Sequence, residues 1–178
     1  MRRTLLLLAT MALALLMASS VALALNRISC GGGLCEGTNE ADSMSGTEGS
    51  DQMYGEPGLS TSGRDDKLNG YGGDDSLYGE WGNDTSNGGA GEDYFSDYYG
   101  TNTLNGGAGN DVFNADYGDV TGEISKISGG SGNDRVWSFD NTKDTISCGP
   151  GTDVVYDHDS GLDTLRGCEL DRDGMPLP

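Results

Sequence analysis

The sequence predicts an all-β fold, a parallel solenoid that lays down one short strand in every nine residues. Three coincident observations predict it. Asp66, Asp75, Asp84, Asp93, Asn102 and Asp111 stand nine residues apart without a slip. Two residues after each comes Leu68, Leu77, Ser86, Phe95, Leu104 or Phe113. Two residues before each, in every unit but the first, stands a glycine: Gly73, Gly82, Gly91, Gly100 and Gly109.

A period of nine has a physical reading. Three residues centred on the apolar one make a short strand, with that side chain inward and its neighbours outward. Six residues make a tight turn, where glycine reaches φ > 0 without steric cost. Two units complete one coil with a strand on each face. One apolar side chain per unit does not offset the backbone entropy of nine residues. Acids stacked at a coil spacing of about 4.8 Å would also repel. The missing component is a cation.

The fullest units read Gly88-Gly89-Ala90-Gly91-Glu92-Asp93-Tyr94-Phe95 and Gly106-Gly107-Ala108-Gly109-Asn110-Asp111-Val112-Phe113. They resemble the RTX nonapeptide, G-G-x-G-x-D-x-U-x with U large and apolar. The resemblance implies a parallel β-roll with calcium held between turns on one edge by the aspartate and turn carbonyls. Calcium accepts six to eight oxygen ligands in adaptable geometry, whereas magnesium demands rigid octahedra and keeps its waters. On matching positions it assigns metal-binding roles to Asp42, Asp51, Asp66, Asp75, Asp84, Asp93, Asn102, Asp111, Asp134, Asp144, Asp153 and Asp163. Gly73, Gly82, Gly89, Gly91, Gly107, Gly109, Gly130 and Gly132 would shape the turns and present carbonyls.

Taken in order, the units begin at Gly37. Gly37–Ser45 carries Asp42 and Met44, and Gly46–Tyr54 carries Asp51 and Met53. Gly55–Ser60, with Pro57, is an excursion expected to loop out at a turn. Thr61–Asn69 restores the register, with Arg64 where the turn glycine belongs. Gly70–Tyr78, Gly79–Asn87, Gly88–Ser96, Asp97–Asn105 and Gly106–Asn114 follow without interruption. One edge is then expected to stack Asp75, Asp93 and Asp111, with Asp51 joining if the excursion loops out cleanly. The opposite edge stacks Asp66, Asp84 and Asn102. An amide carbonyl still ligates calcium but brings less charge. Asn102, Arg64 and Ser86 therefore make the second edge the weaker one. Ala115–Ser128 breaks the register as an enlarged coil or loop. Gly129–Trp137 resumes it with Asp134 and Val136. Phe139–Ser147, Cys148–Tyr156 and His158–Arg166 carry Asp144, Asp153 and Asp163, with single-residue slips at Ser138 and Asp157.

Around this array the domain plan is a leader at 1–24, an N-terminal cap at 25–36, repeats at 37–168 and a loose polar tail at 169–178. Met1-Arg2-Arg3, the apolar run Leu5–Met17 and Ala22-Leu23-Ala24 read as a secretory signal cleaved before Leu25, the alternative being an uncleaved anchor. Secretion to the extracellular space follows, with no later membrane-spanning stretch. Without Arg2 and Arg3, 8 basic residues face 29 acids, a net charge of −21. Such a chain does not bind nucleic acid by phosphate neutralisation; it attracts cations. Four cysteines in an exported chain suggest two disulfides in one of three pairings. Cys30–Cys35 with Cys148–Cys168 is favoured because each bond closes one end of the array. The spacings do not form the paired C-x-x-C set of a zinc site.

Enzyme signals are poor, and no catalysis is expected. His158 is the one histidine, whereas H-E-x-x-H needs two, and no nucleophile elbow is present. It is expected in an exposed turn. Tyr54, Tyr78, Trp137 and Tyr156 fall at the last strand position and should point outward. That face suits β-propensity alone, or a stacking surface for extracellular glycans or a cell surface.

Overall fold

The structure is a computed structural model, and it describes residues 26–58, 63–97, 99–115, 125–138, 142–158, 161–171 and 176. The leader, residues 116–124 with Asp119, Val120 and Ile124, and the end of the tail lie outside them. Sixteen strands are described, arranged as two parallel sheets of eight. One sheet holds β1 (Asn26–Ser29), β3 (Asp42–Ser45), β5 (Lys67–Gly72), β7 (Thr85–Ala90), β9 (Thr103–Ala108), β11 (Lys126–Ser131), β13 (Thr145–Ser147) and β15 (Thr164–Arg166). The other holds β2 (Gly33–Glu36), β4 (Asp51–Tyr54), β6 (Ser76–Tyr78), β8 (Tyr94–Ser96), β10 (Val112–Asn114), β12 (Arg135–Ser138), β14 (Val154–His158) and β16 (Leu170–Asp171). Consecutive strands fall in opposite sheets, so every two units complete one coil. The all-β parallel β-roll read from the spacing is the observed architecture.

The register aligns the apolar positions in two columns. Met44, Leu68, Ser86, Leu104, Ile127 and Ile146 pair in sequence across one sheet. Met53, Leu77, Phe95, Phe113, Val136 and Val155 pair across the other. These residues are at most 2% exposed and form one continuous core. Phe95 and Phe113 stack in it with ring centroids 4.7 Å apart. Ser86 is the weak layer: it is buried and its Oγ has no hydrogen-bond partner.

The ends extend the pattern. Residues 26–36, expected as a cap, carry two strands in coil register, Ile28 beside Met44 and Cys35 beside Met53. The expected loose tail instead begins with β16, which pairs with β14. Cys30–Cys35 and Cys148–Cys168 are the bonded pairs, with Cα atoms 5.6 and 5.1 Å apart. The register between β12 and β14 shifts after Val136 and Val155: the extra residue lies on β14, where the slip at Asp157 is expected, and Ser138 falls opposite His158. His158 therefore ends a strand and is partly buried, not in a free turn. The described residues contain no helix, and hence none long and apolar enough to cross a membrane.

Candidate metal centre

Each turn ends in an acid that enters the next strand, and the coils bring these acids into two ladders. On one edge the backbone N–H of Asp51 donates to Oδ1 of Asp75, Asp75 to Asp93, Asp93 to Asp111, Asp111 to Asp134 and Asp134 to Asp153, all at 2.8–2.9 Å. On the other, Asp42 donates to Asp66, Asp66 to Asp84 and Asp84 to Asn102, at 2.7–2.8 Å. That edge continues with Ser125 donating to Asp144 and Asp144 to Asp163. Both edges are as read from the sequence. Asp51 joins the first across the excursion, and the insertions before Asp134 and Asp153 do not interrupt it.

One oxygen of each ladder carboxylate beyond the starting Asp42 and Asp51 is thus used. The other is buried with no hydrogen-bond partner in Asp66, Asp75, Asp84, Asp93, Asp111, Asp134 and Asp153: it is Oδ2 in every case. An orphaned buried carboxylate oxygen is costly, and burial shows in the titration of these acids. Desolvation pushes Asp75 up to about 6 and Asp66 and Asp111 up to about 7, against the hydrogen bond from the previous rung. Burial also raises Asp84, Asp93, Asp134 and Asp153. A bound cation reverses this cost by favouring the charged form.

The turns leave room for one. A Cβ added at Gly46 would lie 2.7 Å from both Asp51 Oδ2 and the Gly70 carbonyl, and one at Gly55 would lie 2.5 Å from Asp66 Oδ2 and the Gly79 carbonyl. Asp75 Oδ2 and the Gly88 carbonyl crowd the same space at Gly70, as do Asp111 Oδ2 and the Gly129 carbonyl at Gly106. The gaps at Gly55, Gly70, Gly106 and Gly129 are therefore cradles lined by a carboxylate of one coil and a carbonyl of the next. Among the described residues no three His, Cys, Asp or Glu side chains converge on one point. The donor set is carboxylate plus carbonyl, which suits calcium and not a soft metal.

The glycines serve close stacking. Gly73, Gly82, Gly89, Gly91, Gly107, Gly109, Gly130 and Gly132 all have φ between 92° and 143°. At Gly91 and Gly109 a side chain would also strike the carbonyl one coil back, that of Gly73 and Gly91 respectively. Gly91 and Gly109 in turn donate to Ala108 and Ser131 of the following coil at 2.8 Å.

Three assigned residues differ from the rest. In the first two turns, Thr38 and Thr47 bond Oδ2 of Asp42 and Asp51 through both backbone N–H and hydroxyl, at 2.6–3.0 Å. Asp42 and Asp51 are thus satisfied on the side that the later acids leave open. Asn102 differs by carrying an amide where the other rungs carry a carboxylate. Its Oδ1 accepts from Asp84, and its Nδ2 donates to the Tyr99 carbonyl at 3.4 Å. What it aims into the turn is a donor.

Other partners were hidden in the variable positions. Ser125 takes the acid's place in the enlarged coil, two residues before Ile127, the spacing that could have revealed it. Glu169 closes the first ladder by accepting from Asp153 at 2.9 Å.

A family model described as the RTX calcium-binding nonapeptide repeat matches four times, over residues 36–58, 60–95, 98–119 and 125–138, more than half of the chain. No curated protein and no solved structure matches. The matched repeats carry the ladder acids from Asp42 to Asp134 and the turn glycines between them, and the chain belongs to the RTX calcium-binding nonapeptide repeat family.

Proposed function

We propose that this is a secreted, non-enzymatic calcium-binding roll that folds as calcium loads its turns. The observation that carries it is the column of buried, unpartnered Oδ2 atoms from Asp66 to Asp153. Asp66, Asp75, Asp84, Asp93, Asp111, Asp134 and Asp153 would supply the carboxylates, and turn carbonyls the remaining ligands. Asp144 and Asp163 continue the second edge. The chain's own residues set up the site: the ladder hydrogen bonds hold each carboxylate in place, and the glycine turns let successive carbonyls approach. The basic n-region, the apolar run and Ala22-Leu23-Ala24 support export, as do two disulfides. Calcium would then be met outside the cell, at an affinity on the order of 10⁻⁴–10⁻³ M. Calorimetric titration of the chelator-treated mature protein tests the reading, with magnesium in parallel. Saturable binding of calcium, weaker or absent with magnesium, is expected; no calcium heat at millimolar concentration overturns it.

A second reading has a specific observation behind it. On the outer face of the even-numbered sheet Tyr54 stacks on Tyr78, and Trp137 on Tyr156, both with centroids 4.4 Å apart. Rings stacked along the roll cover one face of each. Between the two pairs lies a groove of about 230 Å³ lined by Tyr94, Val112, Asn114 and Trp137. An aromatic wall beside an amide suits a sugar ring, making calcium a stiffener for an adhesive surface. A glycan array with calcium decides it: binding lost in Trp137→Ala supports it, and no binding removes it.

A further inference from the structure

The turn Gly79–Asp84 has an acid outside the nine-residue register on each side of it. In the following coil Asp97 stands at the first turn position, where the opposite edge has Gly70, Gly88, Gly106 and Gly129. In the preceding coil Glu56 opens the excursion after Gly55. Both are buried, at 4% and 1% exposed. Asp97 Oδ2 and Asp84 Oδ2 crowd the same space beside Gly79. Asp84 Oδ2 is buried with no hydrogen-bond partner, and Asp84 is 1% exposed. Glu56 Oε2 accepts from the Trp81 backbone N–H at 3.2 Å. Its Oε1 is buried with no hydrogen-bond partner and meets the Trp81 carbonyl beside Gly63.

We propose that the two gaps flanking this turn are divalent-cation sites of a separate kind, calcium sites each supplied with an acid that the repeat does not encode. Asp97 joins Asp84 in the gap toward the following coil, and Glu56 joins the Trp81 carbonyl in the gap toward the preceding one. The proposal rests on the calcium reading above and names ligands that the reading does not contain. In the glycine-headed gaps one carboxylate meets a carbonyl, as Asp75 meets Gly88 and Asp111 meets Gly129. Beside Gly79 two carboxylates meet. Brought together out of water they repel unless a cation lies between them. Calcium gains affinity from added ligand charge. Asp97 thereby restores to this edge the charge that Asn102 withholds, and the edge is not the weaker one that Asn102, Arg64 and Ser86 suggested.

The turn carries its own reporter. The backbone of Trp81 borders Glu56, and its indole stacks on Tyr99 with centroids 3.8 Å apart. The chain has two tryptophans, so Trp137→Phe leaves Trp81 alone. Terbium(III), a luminescent stand-in for calcium, is titrated into this full-length mature protein under tryptophan excitation. Sensitised emission should rise, and calcium should displace it. Asp97→Gly and Glu56→Gln should each raise the half-saturating terbium concentration about tenfold, as fits loss of a charged ligand. Glu36→Gln, at an exposed acid outside both ladders, should leave it near the parent value. Glycine at 97 restores the residue usual at that position, so the variant keeps its backbone; far-UV circular dichroism at saturating calcium checks this. Unchanged half-saturation in both variants overturns the proposal, as does no Trp81 emission from a protein that binds calcium by calorimetry. A parent protein that binds no calcium by calorimetry fails the underlying reading as well, so the two failures are told apart.

Discussion

The backbone N–H of Asp93 donates to Oδ1 of Asp111, one coil on, at 2.9 Å, while Asp93's own Oδ2 is buried without a partner. Each acid thus has two duties, one toward the ladder and one toward the turn. The duties separate by substitution. Asp93→Asn keeps an acceptor for the Asp75 N–H but removes charge from the turn. Asp93→Ala removes both. Calcium titrations should show the midpoint raised about tenfold in Asp93→Asn, with further loss in Asp93→Ala. A midpoint unchanged in Asp93→Asn would mean the free oxygen faces no ion.

Asn102→Asp is the converse. The new Oδ1 continues to accept from Asp84, and a carboxylate oxygen replaces the amide donor that faces Tyr99. Calcium affinity should rise several-fold, about what one added ligand charge brings. Calorimetry of the variant against the parent at one salt concentration checks it, since screening alters both.

Without calcium, pH acts in the direction set by burial. Folded Asp75 sits at about 6, and Asp66 and Asp111 at about 7, above the ordinary aspartate value. Between those limits the folded form holds more protons than the unfolded one. Stability of the metal-free roll is therefore gained as pH falls through about 7 toward 4 and lost as it rises. Protons and calcium compete, so calcium affinity moves oppositely. Far-UV circular dichroism in chelator should show more β structure at pH 5 than at pH 7.5; equal or less contradicts the burial.

Three backbone and core substitutions test the packing. Gly109→Ala combines φ of 142° with a Cβ directed at the Gly91 carbonyl, and should cost more than about 3 kcal/mol. Gly31→Ala, with nothing within 4 Å and no unusual φ, should be near neutral. Ser86→Ala removes a buried hydroxyl with no partner and should stabilise by about 1 kcal/mol. Calcium-saturated melts of the three variants rank them.

Much of this was legible because one period sets three things at once. An error of one residue would have turned Leu68 or Phe95 outward and moved Asp66 or Asp93 out of its ladder. The core column, the two edges and the closing disulfides follow from that register. The positions written as variable did not yield their roles, because they act between residues a coil apart. The residue before each acid forms its own ladder: Glu92 N–H donates to Asp74, Asn110 Nδ2 to Glu92, Asn133 N–H to Asn110 and Thr152 N–H to Asn133. The run Asp74, Glu92, Asn110, Asn133, Thr152, all able to accept, was the available signal. Thr38 and Thr47 were unreadable for a different reason. They bond Oδ2 of Asp42 and Asp51 locally, an option that the glycines at Gly89 and Gly107 remove, and leave Oδ1 buried without a partner.

The central claim is that ion binding supplies the folding free energy that one apolar side chain per unit does not. Far-UV circular dichroism of the chelator-treated mature chain, followed as calcium is added with the disulfides intact, tests it most directly. The expected result is a largely disordered spectrum that converts cooperatively to β structure in the millimolar range. A β spectrum and melting curve already complete in chelator, and unchanged by calcium, would contradict the account.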